Sequence, residues 1–237
     1  MKLGVAISYP LLPIAASLEL AKAAETSGFD LISAGDGYNE TFSLLTAAVM
    51  RTERISLLFA VVTPTRTPVA MALAAAGLAE ISGSRYLVGL GVMPRDRSKG
   101  WHGIPYEHPI ERMRELVSAT RAVWAARPDQ PARFEGSFYR VGSYAPDRVR
   151  PELPIPVYLG VTRAGVSRLA GEIAEGVIVN AVHSVEFLSD VVLAAIARGL
   201  ADGNRRRSQF RIGVLQHCAS QRVRSAARID TPPAFPQ

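Results

Sequence analysis

The chain has 237 residues, 48% of them hydrophobic, which suits one globular α/β domain with a sizeable core. No run approaches the ~18 apolar residues of a membrane span. The opening "MKLGVAISYPLLPIAASLEL" is broken by Ser8, Tyr9, Pro10 and Pro13, so neither a membrane helix nor a signal peptide is read, and the cytoplasm is the expected compartment. The formal charge of +6 and pI near 9.8 invite a nucleic-acid reading. However, the only cationic run is Arg205-Arg206-Arg207, without interleaved aromatics, and a solvated loop accounts for it. No nucleic acid and no membrane partner is expected; the positive balance equally suits an anionic small molecule or cofactor.

Short β-branched runs alternate with helical stretches along the whole chain. A strand over Leu3 to Ser8 leads into a helix over Pro13 to Ser27, with Tyr9 at the strand's carboxyl end. The second strand, Leu31 to Ala34, stops at Gly35-Asp36-Gly37 before a helix over Thr41 to Arg51. Asp36 is then either a cap for that helix or a functional carboxylate at a strand end. The third strand, Ile55 to Val62, ends in Thr63-Pro64-Thr65-Arg66 ahead of a helix over Pro68 to Ile81. The fourth, Tyr86 to Leu90, ends in Gly91-Val92-Met93-Pro94. "RDRSKGWHGIPYEHP" reads as a loop before a helix over Pro109 to Ala126. From Arg127 to Pro156 a proline-rich stretch with the hairpin-like "ARFEGSFYRV" reads as an excursion over the barrel mouth. A fifth strand, Val157 to Leu159, a helix over Arg163 to Ala174, a sixth strand, Gly176 to Asn180, a helix over Val185 to Asp202 and a seventh strand, Arg211 to His217, follow. The single cysteine, Cys218, cannot form an internal disulfide and reads as a buried thiol.

Strands alternating with crossover helices imply a parallel sheet. Seven units are many for an open sheet, and no G-x-G-x-x-G follows the first strand. The predicted fold is therefore an α/β TIM (β/α)8-type barrel, one domain over 1–237, with an insertion at about 127–156 and an irregular tail at about 221–237 in place of an eighth strand. A barrel lacking a strand leaves two open edges, so either a partner chain supplies cover or the form is truncated.

Functional groups of such a barrel gather at the carboxyl ends of its strands. Those ends carry no C-x-x-C, no H-E-x-x-H and no facial triad, so no metal is expected, and no G-x-S-x-G elbow is present. What remains suits a large flat cofactor that itself carries the reaction. The turn Gly160-Val161-Thr162-Arg163-Ala164-Gly165 offers a phosphate position. Thr162 caps the helix in this reading, open amides and Arg163 face the anion, and Gly160 lets the backbone approach. An ordinary βα turn uses the same residues. On the phosphate reading, Gly160→Asp weakens cofactor binding and leaves the melting temperature unchanged.

The segments "AKAAETSGFDLISAGD", "TERISLLFAVVTPTRTPVAMALAAAGLAEISGSRYLVGLG", "ERMRELVSATRAVW", "FEGSFYRV" and "IPVYLGVTRAGVSRLAGEIAEGVIVN" resemble the bacterial-luciferase-like monooxygenase family, in its branch of F420-dependent oxidoreductases. The resemblance implies a barrel that binds F420, with FMN as the alternative, transfers hydride or activates oxygen on a small organic substrate and forms a homodimer through "SLLTAAVM" and "VAMALAAAGLA". It places Asp36 against the cofactor and a non-prolyl cis bond from Ala60 to Val61 under the ring. Thr63 is then a polar contact, Gly91 and Asn180 lie at strand ends, and the phosphate sits at Gly160 to Gly165. Sugar-phosphate and alcohol dehydrogenases of this branch carry His after the strand-two acid and Glu after the strand-four glycine, where this chain has Gly37 and Val92. With that pair missing, His102 and Asp36 become the catalytic candidates, and Tyr9, Trp101 and His102 the substrate contacts, packing being the alternative for Trp101 and His102. The same departures, with the missing eighth strand, motivate the alternative of a non-catalytic flavin-binding or scaffold protein.

Overall fold

A computed structural model describes residues 1–8, 12–37, 39–149, 154–180 and 183–215. The first half holds β1 (Gly4–Ala6), α1 (Ile14–Thr26), β2 (Leu31–Ala34), α2 (Thr41–Val49), β3 (Ser56–Phe59), α3 (Pro68–Ile81) and β4 (Tyr86–Gly91). Then come α4 (Arg95–His102), α5 (Pro109–Ala125) and the antiparallel hairpin β5 (Ala132–Glu135) and β6 (Arg140–Tyr144). The chain continues through β7 (Val157–Val161), α6 (Ala164–Ile173), β8 (Gly176–Val179), α7 (Val185–Phe187), a π-helical turn (Leu188–Leu193), α8 (Ala194–Asp202) and β9 (Arg211–Val214). The seven strands β1-β2-β3-β4-β7-β8-β9 pair in parallel in that order as one curled sheet, a half-barrel; among the described residues no ladder joins β9 to β1.

Period-two alternation decides where the core sits. Ile32, Leu57, Phe59, Val88, Leu159 and Val177 are buried against helix residues such as Leu45, Met71, Met113, Leu169 and Ile196. Several alternate strand positions are small, among them Ser33, Gly35, Ser56, Ala60, Gly89, Gly91, Gly160 and Gly176, and they stand beside larger side chains such as Leu58, Tyr158 and Ile178. The helices thus cover one face of the sheet, and the other face mixes glycines with those larger side chains.

Beyond Phe59 the chain stays locked between its neighbours. The Ala60–Val61 peptide is cis, as the resemblance implies. Ala60 N donates to Ala34 O at 2.7 Å, Val62 N to Gly89 O at 2.7 Å, and Gly91 N to Val62 O at 2.9 Å. A Cβ on Gly91 would stand 2.3 Å from Val61 Cγ2, and one on Gly160 2.7 Å from Val61 Cγ1. Both glycines make room for one isopropyl group.

Three expectations change. Residues 95–102 form a helix where a loop is expected; only Ser98 is buried, so it lacks the apolar period, but Asp96 in its first turn and Gly103 in the left-handed C-cap position are ordinary helix signals. The hairpin exists, yet its body does not lie over the mouth. Ala132 and Val141 pack with Ala72 of α3 and Ala119 and Val123 of α5, while Glu115 accepts from the amides of Ser137, Phe138 and Tyr139. The helix expected over Val185 to Asp202 contains the π turn. Gln216, His217, Cys218 and the expected tail lie outside the described residues.

The amino ends of the strands are tied by charge. Buried Glu25 accepts through Oε1 from the amides of Glu53, Arg54 and Ile55 at 2.8, 2.7 and 3.1 Å and pairs with Lys22 at 3.2 Å. Burial pushes its pKa up, but the three amides and the ammonium outweigh it and hold the carboxyl at about 2, below the ordinary 4.5. Arg85 joins the α2–β3 and α3–β4 connections through Ile55 O, Thr52 O and Ser82 O at 2.7, 3.1 and 2.9 Å.

This packing yields three expected outcomes. Glu25 has a depressed folded pKa, so its contribution is complete above about pH 4.5 and is lost as pH falls through about 2. In urea melts, Glu25→Ala costs about 2 to 3 kcal/mol at neutral pH, and the gap to the parent narrows across that acid window. Gly160→Ala costs about 1 to 3 kcal/mol by pushing on Val61, Val61→Ala in the same chain recovers much of it, and Gly160→Asp lowers the melting temperature instead of sparing it. Tyr86 is wholly buried, its hydroxyl has no partner among the described residues, and burial holds its pKa well above 10. Tyr86→Phe should therefore leave stability unchanged or raise it by about 1 kcal/mol in thermal melts.

Candidate functional site

The loops after β2 and β3 meet at the carboxyl ends of the strands. Asp36 N donates to Val61 O at 3.3 Å. Its carboxylate Oδ2 accepts from Thr63 N at 3.1 Å and Thr63 Oγ1 at 3.2 Å and faces Arg66 Nη1 at 3.5 Å, while Oδ1 has no partner among the described residues. Arg66 also binds Glu40 through Nη2 and lies 5.0 Å over the Phe42 ring. Phe42 in turn meets Phe59 edge-on at 4.7 Å.

Glu40 decides between the two roles open to Asp36. It is the N-cap of α2, accepting from Phe42 N at 3.3 Å and Ser43 N at 2.7 Å. Burial would raise its pKa, but the Ser43 amide and hydroxyl, the Arg66 guanidinium and the Phe42 amide outweigh burial and lower it. The helix cap is therefore filled and Asp36 is released from that duty. Both Glu40 and Arg66 escaped the sequence-based site set. Their signals were an acid directly before Thr41 and a cation three residues after Thr63.

The structure brings Asp36, Ala60, Val61, Thr63, Gly91 and Gly160 together around the cis bond. Among the described residues, a Cβ on Gly37 would meet nothing within 4 Å. The turn after β7 differs from expectation. Arg163, not Thr162, is the N-cap of α6 and no side chain caps it, so the first-turn amides are left open. Val161 points into the helix-facing core, Gly165 accommodates Ile110 of α5, whose Cδ1 would lie 2.6 Å from a Cβ there, and Gly160 makes room for Val61. Ala164 is half-buried in that first turn, and Asn180 is exposed at the end of β8.

Trp101 and His102 lie exposed at the end of α4. Trp101 is 58% exposed with Arg97 4.8 Å over its ring, and no hydrogen bond joins either residue to the Asp36 cluster among the described residues. Tyr9 lies outside the described residues. A small cavity of about 30 Å³ sits between the β3 and β4 ends and the hairpin, lined by Pro64, Val92, Met93, Tyr106 and Tyr139. Cavities of about 540 and 550 Å³ lie among the outer helices; of the predicted site residues they touch only Gly165. Among the described residues no helix is long and apolar enough to cross a membrane.

What the strand ends offer chemically is the Val61 segment, backed by Gly91 and Gly160, with the Asp36 carboxylate beside it. One carboxylate oxygen is saturated by donors and the other is free to accept from a ligand N–H or O–H. The open amides of α6, beside the Arg163 cation, favour an anion.

Comparison with known proteins identifies the family and the fold. The model of the luciferase-like monooxygenase family matches residues 1–235. The 5,10-methylenetetrahydromethanopterin reductase of Archaeoglobus fulgidus is 32% identical over 192 residues, covering 80% of this chain and 55% of that protein. The chain thus spans little more than half the length of this relative. The structure of coenzyme F420 dependent tetrahydromethanopterin reductase from Methanopyrus kandleri superposes with a TM-score of 0.78 at 26% identity, over 90% of this chain and 65% of that one. The oxygenating constituent of 3,6-diketocamphane monooxygenase from Pseudomonas putida, in complex with FMN, gives 0.73 at 16% identity over 90% and 66%, a likeness of fold alone. The chain belongs to the luciferase-like monooxygenase family.

Proposed function

We propose that the protein is an oxidoreductase that transfers hydride to or from a small organic substrate through bound F420, with FMN as the alternative. The observation that carries this reading is Asp36, which is excused from capping by Glu40, held on Oδ2 by Thr63, and left with Oδ1 as an acceptor beside Gly37. The F420 dependence of the Methanopyrus kandleri neighbour supports the first cofactor, and the FMN complex of the Pseudomonas putida neighbour keeps the second.

In this reading Val61, backed by Gly91 and Gly160, and Ala60 support one face of the flat ring and keep water from it. Asp36 Oδ1 and Thr63 Oγ1 orient its polar edge, and Asn180 lies at the rim. The amides of Ala164 and Gly165 with Arg163 hold the phosphate. When bound, the cofactor supplies the hydride chemistry. Tyr9, Trp101 and His102 are assigned to the substrate side, with the His102 imidazole as proton donor. The exposed faces of α2 and α3 are assigned to a homodimer.

Titration with F420 and with FMN, followed by cofactor fluorescence, tests the reading. One of the two is expected to bind at about tens of micromolar or tighter, and Asp36→Asn to weaken it about tenfold. A parent protein that binds neither removes the proposal.

A further inference from the structure

We propose that Arg66 is a positioning residue for this site, holding the Asp36 carboxylate in place from the far side. The inference rests on the reading of Asp36 as a cofactor contact. It starts from an order of attachment among four residues. Helix α2 fixes Glu40, because the Glu40 carboxylate caps it through Phe42 N and Ser43 N. Glu40 and the face of Phe42 then fix the guanidinium, through the Nη2 contact and the ring at 5.0 Å. Phe42 is itself held edge-on by Phe59, the last residue of β3 before the cis bond. The remaining arm, Nη1, faces Asp36 Oδ2 at 3.5 Å.

That separation is long for a hydrogen bond, so the pair acts through charge while Thr63 N and Oγ1 make the bonds. Arg66 and Asp36 are only 24% and 16% exposed at their side chains, and the field between them is less screened than on an open surface. Two carboxylates share one guanidinium, so the cluster keeps one net negative charge. Removing the cation leaves Asp36 and Glu40 to repel each other, and Asp36 turns away from Thr63. A lysine presents a single point charge and cannot span both acids while lying over a ring.

A double-mutant cycle on cofactor affinity separates this role from a structural one. The dissociation constants of F420 and of FMN, and the absorption spectrum of the bound cofactor, are measured for the parent, Arg66→Met, Arg66→Lys, Asp36→Asn and the Asp36→Asn/Arg66→Met chain. Arg66→Met is expected to weaken binding about tenfold and to shift the bound spectrum, with Arg66→Lys between it and the parent. In the Asp36→Asn background, Arg66→Met is expected to change affinity by less than about twofold, because the group it positions is gone. Glu40→Gln keeps an acceptor for the helix cap while removing the anion that holds the guanidinium. It repeats the cycle should Arg66→Met melt at a much lower temperature. Equal losses in both backgrounds, or an Arg66→Met chain that binds like the parent, overturn the role and leave the functional reading intact. A parent that binds neither cofactor overturns both.

Discussion

At residues 59–62 the chain lies so close to three neighbouring strands that side chains have no room beside it. A Cβ on Gly35 would stand 2.4 Å from Ala60 O, one on Gly89 2.0 Å from Phe59 O, and those on Gly91 and Gly160 would strike Val61. Because these positions are glycine, β2, β4 and β7 close in on the cis segment, and the Val61 isopropyl fills the space they vacate. The approach also sets the register of everything beyond it. Asp36 N bonds to Val61 O, so the Asp36 side chain arrives opposite Thr63, and the next turn of chain delivers Arg66 to the same carboxylate.

The acids of this protein fall into two kinds by what their oxygens have left to do. Glu25, Glu115 and Glu175 each clamp a turn. The first accepts three amides before β3, the second three amides at the hairpin tip, and the third the Val157 amide and both contacts of Arg121. Such carboxylates are spent on the fold, and the first and third sit at the amino ends of the strands, where a barrel keeps its stability. Asp36 sits at the carboxyl ends with one oxygen unspent, where a barrel keeps its chemistry.

Much of the site was legible because it follows from chain order. Strand ends that finish in Asp36, Thr63, Gly91 and Gly160 converge in any parallel curled sheet, and the order of the sheet follows from short βα connections. The Arg66 link was not legible, since its partners Glu40 and Asp36 are 26 and 30 residues away and only folding sets them side by side. Helix α4 was missed because it buries a single residue and so shows no apolar period.

The sequence by itself determined the alternation of strands and helices, the parallel order, the apolar face of each strand and, through its resemblance, the family and the cis bond. Those properties are local or periodic and are written in neighbouring residues. Only the tertiary structure decided which acid caps α2, that Gly160 yields space to Val61, that Arg163 replaces Thr162 at the head of α6, and that the hairpin packs on α3 and α5. Each is a competition for one small volume or one set of amides among residues far apart in the chain, and the three-dimensional distances settle it.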